Sequence, residues 1–327
     1  MTDSHTTVQD NVKVPMELGQ KRLDQVAAIL FPDHSRSRIQ TWIKSGQLTV
    51  DGKTLKPREK LVGGEQLALN AEIEIQERWQ AEPVELDVVY ADDDIIVINK
   101  PAGLVVHPGA GTPGGTILNG LLHHYPEVGT IPRAGIVHRL DKDTTGLMVV
   151  ARSLTAHTSL VAQLQDRSMG REYEAVVTGV MTGGGKVDEP IGRHPTVRTK
   201  MAVSHAGKPA VTHYRVLERY RNHTLIRCKL ETGRTHQIRV HMAHIHYPLV
   251  GDPLYAGRMR LPKGVHPDVA KALRTLDRQA LHATYLELVH PKSGETMAWQ
   301  VELPDDMVDL LALLEADAEG DLPDDDY

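Results

Sequence analysis

The stretch His138-Arg139-Leu140-Asp141-Lys142-Asp143-Thr144-Thr145-Gly146 places seven polar or charged side chains between the apolar pair Ile136-Val137 and the run Leu147-Met148-Val149-Val150-Ala151. A short apolar run of that composition reads as a strand buried in a sheet. The charged stretch is then a loop delivered at the sheet edge, where binding and catalytic groups concentrate. Asp141 is flanked by His138, Arg139 and Lys142, and neighbouring positive charge favours an ionised carboxylate. A positioned carboxylate serves as nucleophile or base. The same residues suit a plain structural job, with Asp141, Asp143 and Thr144 closing a turn through side-chain to backbone hydrogen bonds. Local chemistry leaves both readings open.

Around this loop, strand patterns recur at Ile95–Ile98, Leu104–Val106, Gly146–Ala151, Tyr173–Val180, Val211–Leu217, Thr224–Leu230, Leu281–Val289 and Met297–Val301. Many strands with few long helices predict an α+β domain with a mixed, largely antiparallel sheet, set at 83–316. Lys100-Pro101-Ala102-Gly103 reads as a tight turn with Gly103 free to take a positive φ. A last helix is expected from Asp305, with Met307, Leu310, Leu311 and Leu314 on one stripe, followed by an acidic tail over 317–327.

Upstream the pattern changes. Residues 1–18 show no periodicity and read as a disordered lead. Leu23, Val26, Ala27 and Leu30 then form one apolar stripe of a short helix that Pro32-Asp33 stops. Ser35 can cap a second helix in which Ile39, Trp42 and Ile43 face inward and Arg36, Gln40 and Lys44 share a polar face. Gln47 to Val50 leads as a strand into an Asp51-Gly52 hairpin turn. The unit is set at 19–70, with a charged linker over 71–82.

The chain has 327 residues, 40% hydrophobic and 24% charged, a globular balance with room for about two domains. Its single cysteine, Cys228, excludes an intrachain disulfide. No run approaches the roughly 20 apolar residues of a membrane span, so the reading is a cytoplasmic protein with no membrane contact. The net charge of −6 hides an asymmetry: eleven acidic residues and no Lys or Arg lie from Glu302 onward, leaving +5 on the rest. Between Gly19 and Glu65, nine Lys or Arg face five acids. That excess suits a phosphate-facing surface.

Two short helices followed by small strands, with Ser35-Arg36-Ser37-Arg38-Ile39-Gln40 and Val50-Asp51-Gly52-Lys53, resemble the S4 RNA-binding module. The resemblance implies RNA contact through Arg36, Arg38 and Lys44. The run from His138 to Leu147 resembles the active-site motif of the pseudouridine synthases that modify ribosomal and transfer RNA. It implies that Asp141 is the catalytic carboxylate and that Arg139 enters the RNA as the target base leaves the stack. Arg171-Glu172-Tyr173-Glu174-Ala175 is similar to the family strand whose tyrosine packs on the flipped uracil. Thr232-Gly233-Arg234-Thr235-His236-Gln237-Ile238-Arg239-Val240-His241 is similar to the segment whose arginine pairs with the carboxylate. Leu281, in Arg278-Gln279-Ala280-Leu281-His282-Ala283, would form an apolar wall beneath the base. Asn99 to Pro108 resembles a further family segment and reads as structural.

The order of an S4-like module before the catalytic domain is most similar to the large-subunit branch of the family. It implies a cofactor-free isomerase, acting as a monomer on 23S rRNA or the assembling large ribosomal subunit, with the uridines in the loop of helix 69 as targets. Other rRNA or tRNA uridines are the alternative. A metal-dependent RNA hydrolase built on His236, His241, His244 and His246 is a remote rival, since the spacing is not that of a zinc motif and Arg234 and Arg239 would crowd an ion. A non-catalytic RNA-binding protein ranks lower still, because Asp141, Tyr173 and Arg239 are all present.

Overall fold

The computed structural model describes residues 5–31, 36–74, 79–109, 111–197, 199–258, 261 and 264–320. The expected helix stop at Pro32-Asp33, the cap at Ser35 and the tail residues Asp324-Asp325-Asp326 lie outside them, as does the side chain of Arg38. The chain divides into two compact units, 1–78 and 79–327.

The first unit contains β1 (His5–Lys13), α1 (Leu23–Leu30), α2 (Arg36–Ser45), β2 (Leu48–Val50) and β3 (Gln66–Glu74). The strands form an antiparallel sheet in the order β1-β3-β2. Leu23, Val26 and Ala27 of α1 and Ile39, Trp42 and Ile43 of α2 are buried with Leu48, Leu67 and Leu69 in one core. Asp51 and Gly52 both take positive φ, 48° and 75°, and Val50 and Lys53 exchange backbone hydrogen bonds at 2.9 Å across them. That geometry is a two-residue turn twisted to match its strands.

Two boundaries differ from the sequence expectation. The lead is not disordered over 5–13, because β1 pairs with β3 along its length, from His5 opposite Glu74 to Lys13 opposite Gln66. Nor do residues 71–74 belong to a linker. They complete β3, in which Leu67, Leu69 and Ala71 are buried at alternate positions. The charges at Glu72 and Glu74 masked this period of two.

The second unit contains β4 (Val88–Ala91), β5 (Ile95–Lys100), α3 (Ile117–His124), β6 (Thr145–Ala151), α4 (Leu154–Gln165), β7 (Gly170–Thr178), β8 (Gly185–Asp188), β9 (Ile191–Arg193), β10 (Met201–Val203), β11 (Val211–Arg219), β12 (His223–Leu230), α5 (Gln237–His244), α6 (Pro267–Thr275), β13 (Leu281–Val289), β14 (Thr296–Gln300) and α7 (Asp305–Glu319). The large sheet runs β4-β5-β6-β13-β7-β12-β11-β8, with β14 also against β13. Its pairs are antiparallel except β6 with β13, so the sheet is mixed. The last helix runs three residues past its expected end at 316.

Every residue of β6 is buried because both faces are covered. Met148 and Val150 pack with Ile117, Leu118 and Leu121 of α3. Leu147, Val149 and Ala151 pack with Ala156 and Leu160 of α4. Double coverage produces a continuous apolar run in place of an alternating one. Leu104–Val106, expected as a strand, is not one. The Val105 and Val106 carbonyls accept from Ile117 N and Leu118 N instead, at 2.9 and 3.1 Å, closing the open donors of the first turn of α3.

Candidate active site

The loop ahead of β6 is held from behind by buried polar side chains. Lys100, fully buried, donates its ammonium protons to the carbonyls of Pro101, Leu104 and Lys142 at 2.7, 2.9 and 2.7 Å. Arg278 Nη1 donates to Asp143 O at 3.3 Å, and Gln279 Nε2 to Thr144 Oγ1 at 3.0 Å. The turn itself closes through the main chain, Thr144 N to Asp141 O at 3.1 Å. The Asp141 carboxylate is thereby left for other partners. Upstream, Arg133, Ala134 and Gly135 all take positive φ, and a Cβ on Gly135 would lie 1.9 Å from Ala151 O.

Asp141 Oδ2 stands 3.0 Å from Arg239 Nη1. Arg239 is 4% exposed, and its other edge is gripped by Asp252, with Nε to Oδ2 at 2.7 Å and Nη2 to Oδ1 at 2.9 Å. Asp252 Oδ1 also accepts from the backbone N–H groups of Leu254 and Tyr255. Burial works against the Arg239 cation, but the hydrogen bonds and charge of Asp252, with those of Asp141, outweigh it and raise its pKa. The Tyr255 ring lies under the guanidinium, 5.1 Å from its centre, and the Tyr255 hydroxyl meets His236 Nδ1 at 2.7 Å. His236, whose own backbone is left-handed with φ 57°, brings Nε2 to 3.8 Å from Asp141 Oδ1.

These groups line a cavity of about 560 Å³ that also contains Arg139, Arg171, Tyr173 and Leu281. The site residues expected in this unit therefore face one space. Arg139 is exposed. Tyr173 is 6% exposed, and burial raises its phenol pKa, with Asp141 adding to the rise and Arg171 opposing it. The first unit's candidates differ from one another. Lys44 is exposed, whereas Arg36 Nη2 pairs at 2.9 Å with the buried carboxylate of Asp24 while its side chain stays 47% exposed.

One expectation is overturned. His138 adds no positive charge beside Asp141: its Nε2 accepts a hydrogen bond from Val149 N at 3.0 Å, and burial, aided by the charge of Arg171, pushes its pKa down to about 3. The four histidines weighed as metal ligands also separate. His241 commits Nδ1 to Thr212 Oγ1 and Nε2 to Glu189 O, and His244 and His246 are exposed. Among the described residues, the side chains close enough to share an ion are Asp92, Asp94 and His290, and none of them lines the cavity.

Sequence reasoning missed Asp252, Tyr255 and the part played by Lys100. Asp252 sits in Gly251-Asp252-Pro253, which reads as turn punctuation. Its acceptance of the Leu254 and Tyr255 N–H groups shows that it closes a turn as well as holding Arg239.

Residues 94–244 match the family model described as RNA pseudouridylate synthase, and residues 21–67 match the S4 domain. The chain is 61% identical over 313 residues to ribosomal large subunit pseudouridine synthase D of Pseudomonas aeruginosa, covering 96% of this chain and 98% of that protein. It is 60% identical over 314 residues to the protein of the same name from Escherichia coli K12, covering 96% and 94%. Among solved structures, human RNA pseudouridylate synthase domain containing 4 superposes with a TM-score of 0.55 at 28% identity, covering 70% of this chain and 92% of that one. Domain containing 1 gives 0.53 at 26%, covering 71% and 89%. The chain belongs to the RNA pseudouridylate synthase family and is an RNA pseudouridine synthase carrying an S4 domain.

Proposed function

We propose that this enzyme isomerises uridines of 23S ribosomal RNA, in the loop of helix 69, with Asp141 as the catalytic carboxylate. The observation that carries the reading is the Asp141–Arg239 pair at 3.0 Å inside a cavity shared with Tyr173 and Leu281. The relatives that match along 96% of the chain are named ribosomal large subunit pseudouridine synthase D, which supports the ribosomal substrate.

The reaction breaks the N1–C1′ bond, turns the uracil and joins C5 to C1′, with no net redox change and no hydrolysis. A stacked base must first leave the helix, at a cost of a few kcal/mol that is least in loops. Arg139, exposed at the mouth, suits the vacated space. Tyr173 and Leu281 offer the flipped ring a face and a wall. Asp141 then attacks C1′ or removes the C2′ proton, aimed in either route by a guanidinium that is itself fixed. A Tyr173 phenol held neutral by burial takes up no proton without releasing its own, which favours water as acceptor of the C5 proton. Arg36, Arg38 and Lys44 of the S4 domain would grip RNA phosphates and set the register of the complex.

The test is pseudouridine mapping of 23S rRNA from cells lacking this protein, complemented with wild type or Asp141→Ala. Restoration of the helix 69 sites by wild type alone is expected. Unmodified sites elsewhere with helix 69 intact would redirect the substrate, and restoration by Asp141→Ala would end the role of that carboxylate.

A further inference from the structure

Arg171 is 5% exposed, yet among the described residues its guanidinium has no ion pair and no hydrogen bond, and its Nε is buried without a partner. A buried cation without a counter-charge is costly unless a ligand completes it. The acids beside it in sequence and those lining the same cavity are already engaged. Glu174 and Glu172 pair with Arg227, Glu231 with Arg167 and His213, and Asp141 with Arg239. Arg171 stands two residues before Tyr173 on β7, so both side chains point to the same face, and both line the cavity. The Gly233 loop leaves room for the guanidinium: a Cβ there would come within 2.8 Å of Arg171 Nη1.

We propose that Arg171 is a second catalytic residue, which binds the carbonyl oxygens of the flipped uracil and takes up the negative charge that forms on the base when its glycosidic bond breaks. This rests on the function proposed above. When N1–C1′ breaks, its electron pair leaves with the uracil and spreads over N1 and the carbonyl oxygens O2 and O4. The same anion then attacks C1′ through C5, and the C5 proton passes to water. A charge that exists only between these two bond changes is where a preorganised donor accelerates a reaction most. An RNA phosphate is the other anion a guanidinium takes, but its charge is equal in substrate and transition state, so that contact would change affinity and leave the rate alone.

The full-length enzyme, its Arg171→Met, Arg171→Lys and Gly233→Ala variants are assayed on a 23S rRNA transcript by single turnover at saturating enzyme and by filter binding. Arg171→Met is expected to slow turnover about 10²- to 10³-fold, with Kd changed less than about threefold. Arg171→Lys should fall between Arg171→Met and wild type, and Gly233→Ala should slow turnover by displacing the guanidinium. A transcript carrying 5-fluorouridine separates catalysis from folding, because fluorine stabilises the departing anion. The Arg171→Met defect, read as loss of the N1-linked nucleoside, should shrink about tenfold on it. An unchanged single-turnover rate in Arg171→Met overturns the proposal, as does a loss confined to Kd or an equal loss on both transcripts. A wild type inactive on this RNA overturns the substrate reading and, with it, this inference.

Discussion

Asp252 holds Arg239 by two hydrogen bonds, 2.7 Å to Nε and 2.9 Å to Nη2, and leaves Nη1 alone to face Asp141. The guanidinium therefore has two carboxylate partners with different duties. Asp252, fully buried, fixes its orientation, and Asp141 receives it.

Arg239→Ala is expected to abolish pseudouridine formation and also to lower stability. Removing one partner of a buried pair costs about 3–5 kcal/mol because the other charge stays behind. The loss of stability comes from Asp252, whose buried carboxylate would keep its charge without the guanidinium. The double variant Arg239→Met/Asp252→Asn, which removes both charges and keeps an acceptor for the Leu254 and Tyr255 N–H groups, should regain most of the stability and none of the activity. Urea midpoints beside turnover check this; a double variant no more stable than Arg239→Ala would contradict the buried-charge account.

Lys100 ties the Lys142 carbonyl with one of three protons, and burial lowers its pKa from 10.5 to about 8 despite the opposing charges of Asp143 and Asp141. Between pH 8 and 10.5 the unfolded chain keeps a proton that the folded chain has lost. Folding is thus favoured as pH rises, by up to about 1.4 kcal/mol per pH unit. Wild type should gain stability over Lys100→Met across that window, while its activity falls as one loop carbonyl loses its donor. Denaturant midpoints of both proteins at pH 7 to 10 measure the gap, and a gap that does not widen would remove the mechanism.

Acid should unfold the catalytic unit early. Burial above all lowers the pKa of His107, His223 and His282 to about 4 and of His138 to about 3, from 6.5. As pH falls below 6.5 the unfolded chain binds protons that the folded chain refuses, so stability drops by up to about 1.4 kcal/mol per pH unit for each. His138→Gln keeps an acceptor for Val149 N and should flatten the slope of stability against pH. A slope equal to that of wild type would show that His138 already titrates in the fold.

Activity is expected to survive EDTA unchanged. A loss restored by a divalent ion would revive the metal reading of His236 and its neighbours.

Much of the site was legible because its residues lie in contiguous motifs. Asp141, Tyr173, Arg239 and Leu281 were each marked by their neighbours in sequence, and the structure brings them to one cavity. What escaped depends on distant parts of the chain. The charge of His138 was misjudged because its neutrality comes from Val149 N and from burial. Asp252 has the sequence of a turn residue, and only the folded chain shows Arg239 beside it. In the first unit, β1 gains order from β3, some 60 residues away, and carries no periodicity of its own.

The parallel contact of β6 and β13 sets a condition on biosynthesis. Thr145 Oγ1 meets His282 Nδ1 at 2.7 Å, and a Cβ on Gly146 would lie 2.3 Å from Ala283 O. The strand leaving the Asp141 loop is thus seated against one translated more than 130 residues later. A nascent chain that has already emerged through Asp252 possesses the whole carboxylate and guanidinium array in sequence, yet lacks the neighbour that seats it. A chain still being synthesised is therefore expected to form no pseudouridine until the segment from Leu281 clears the exit tunnel.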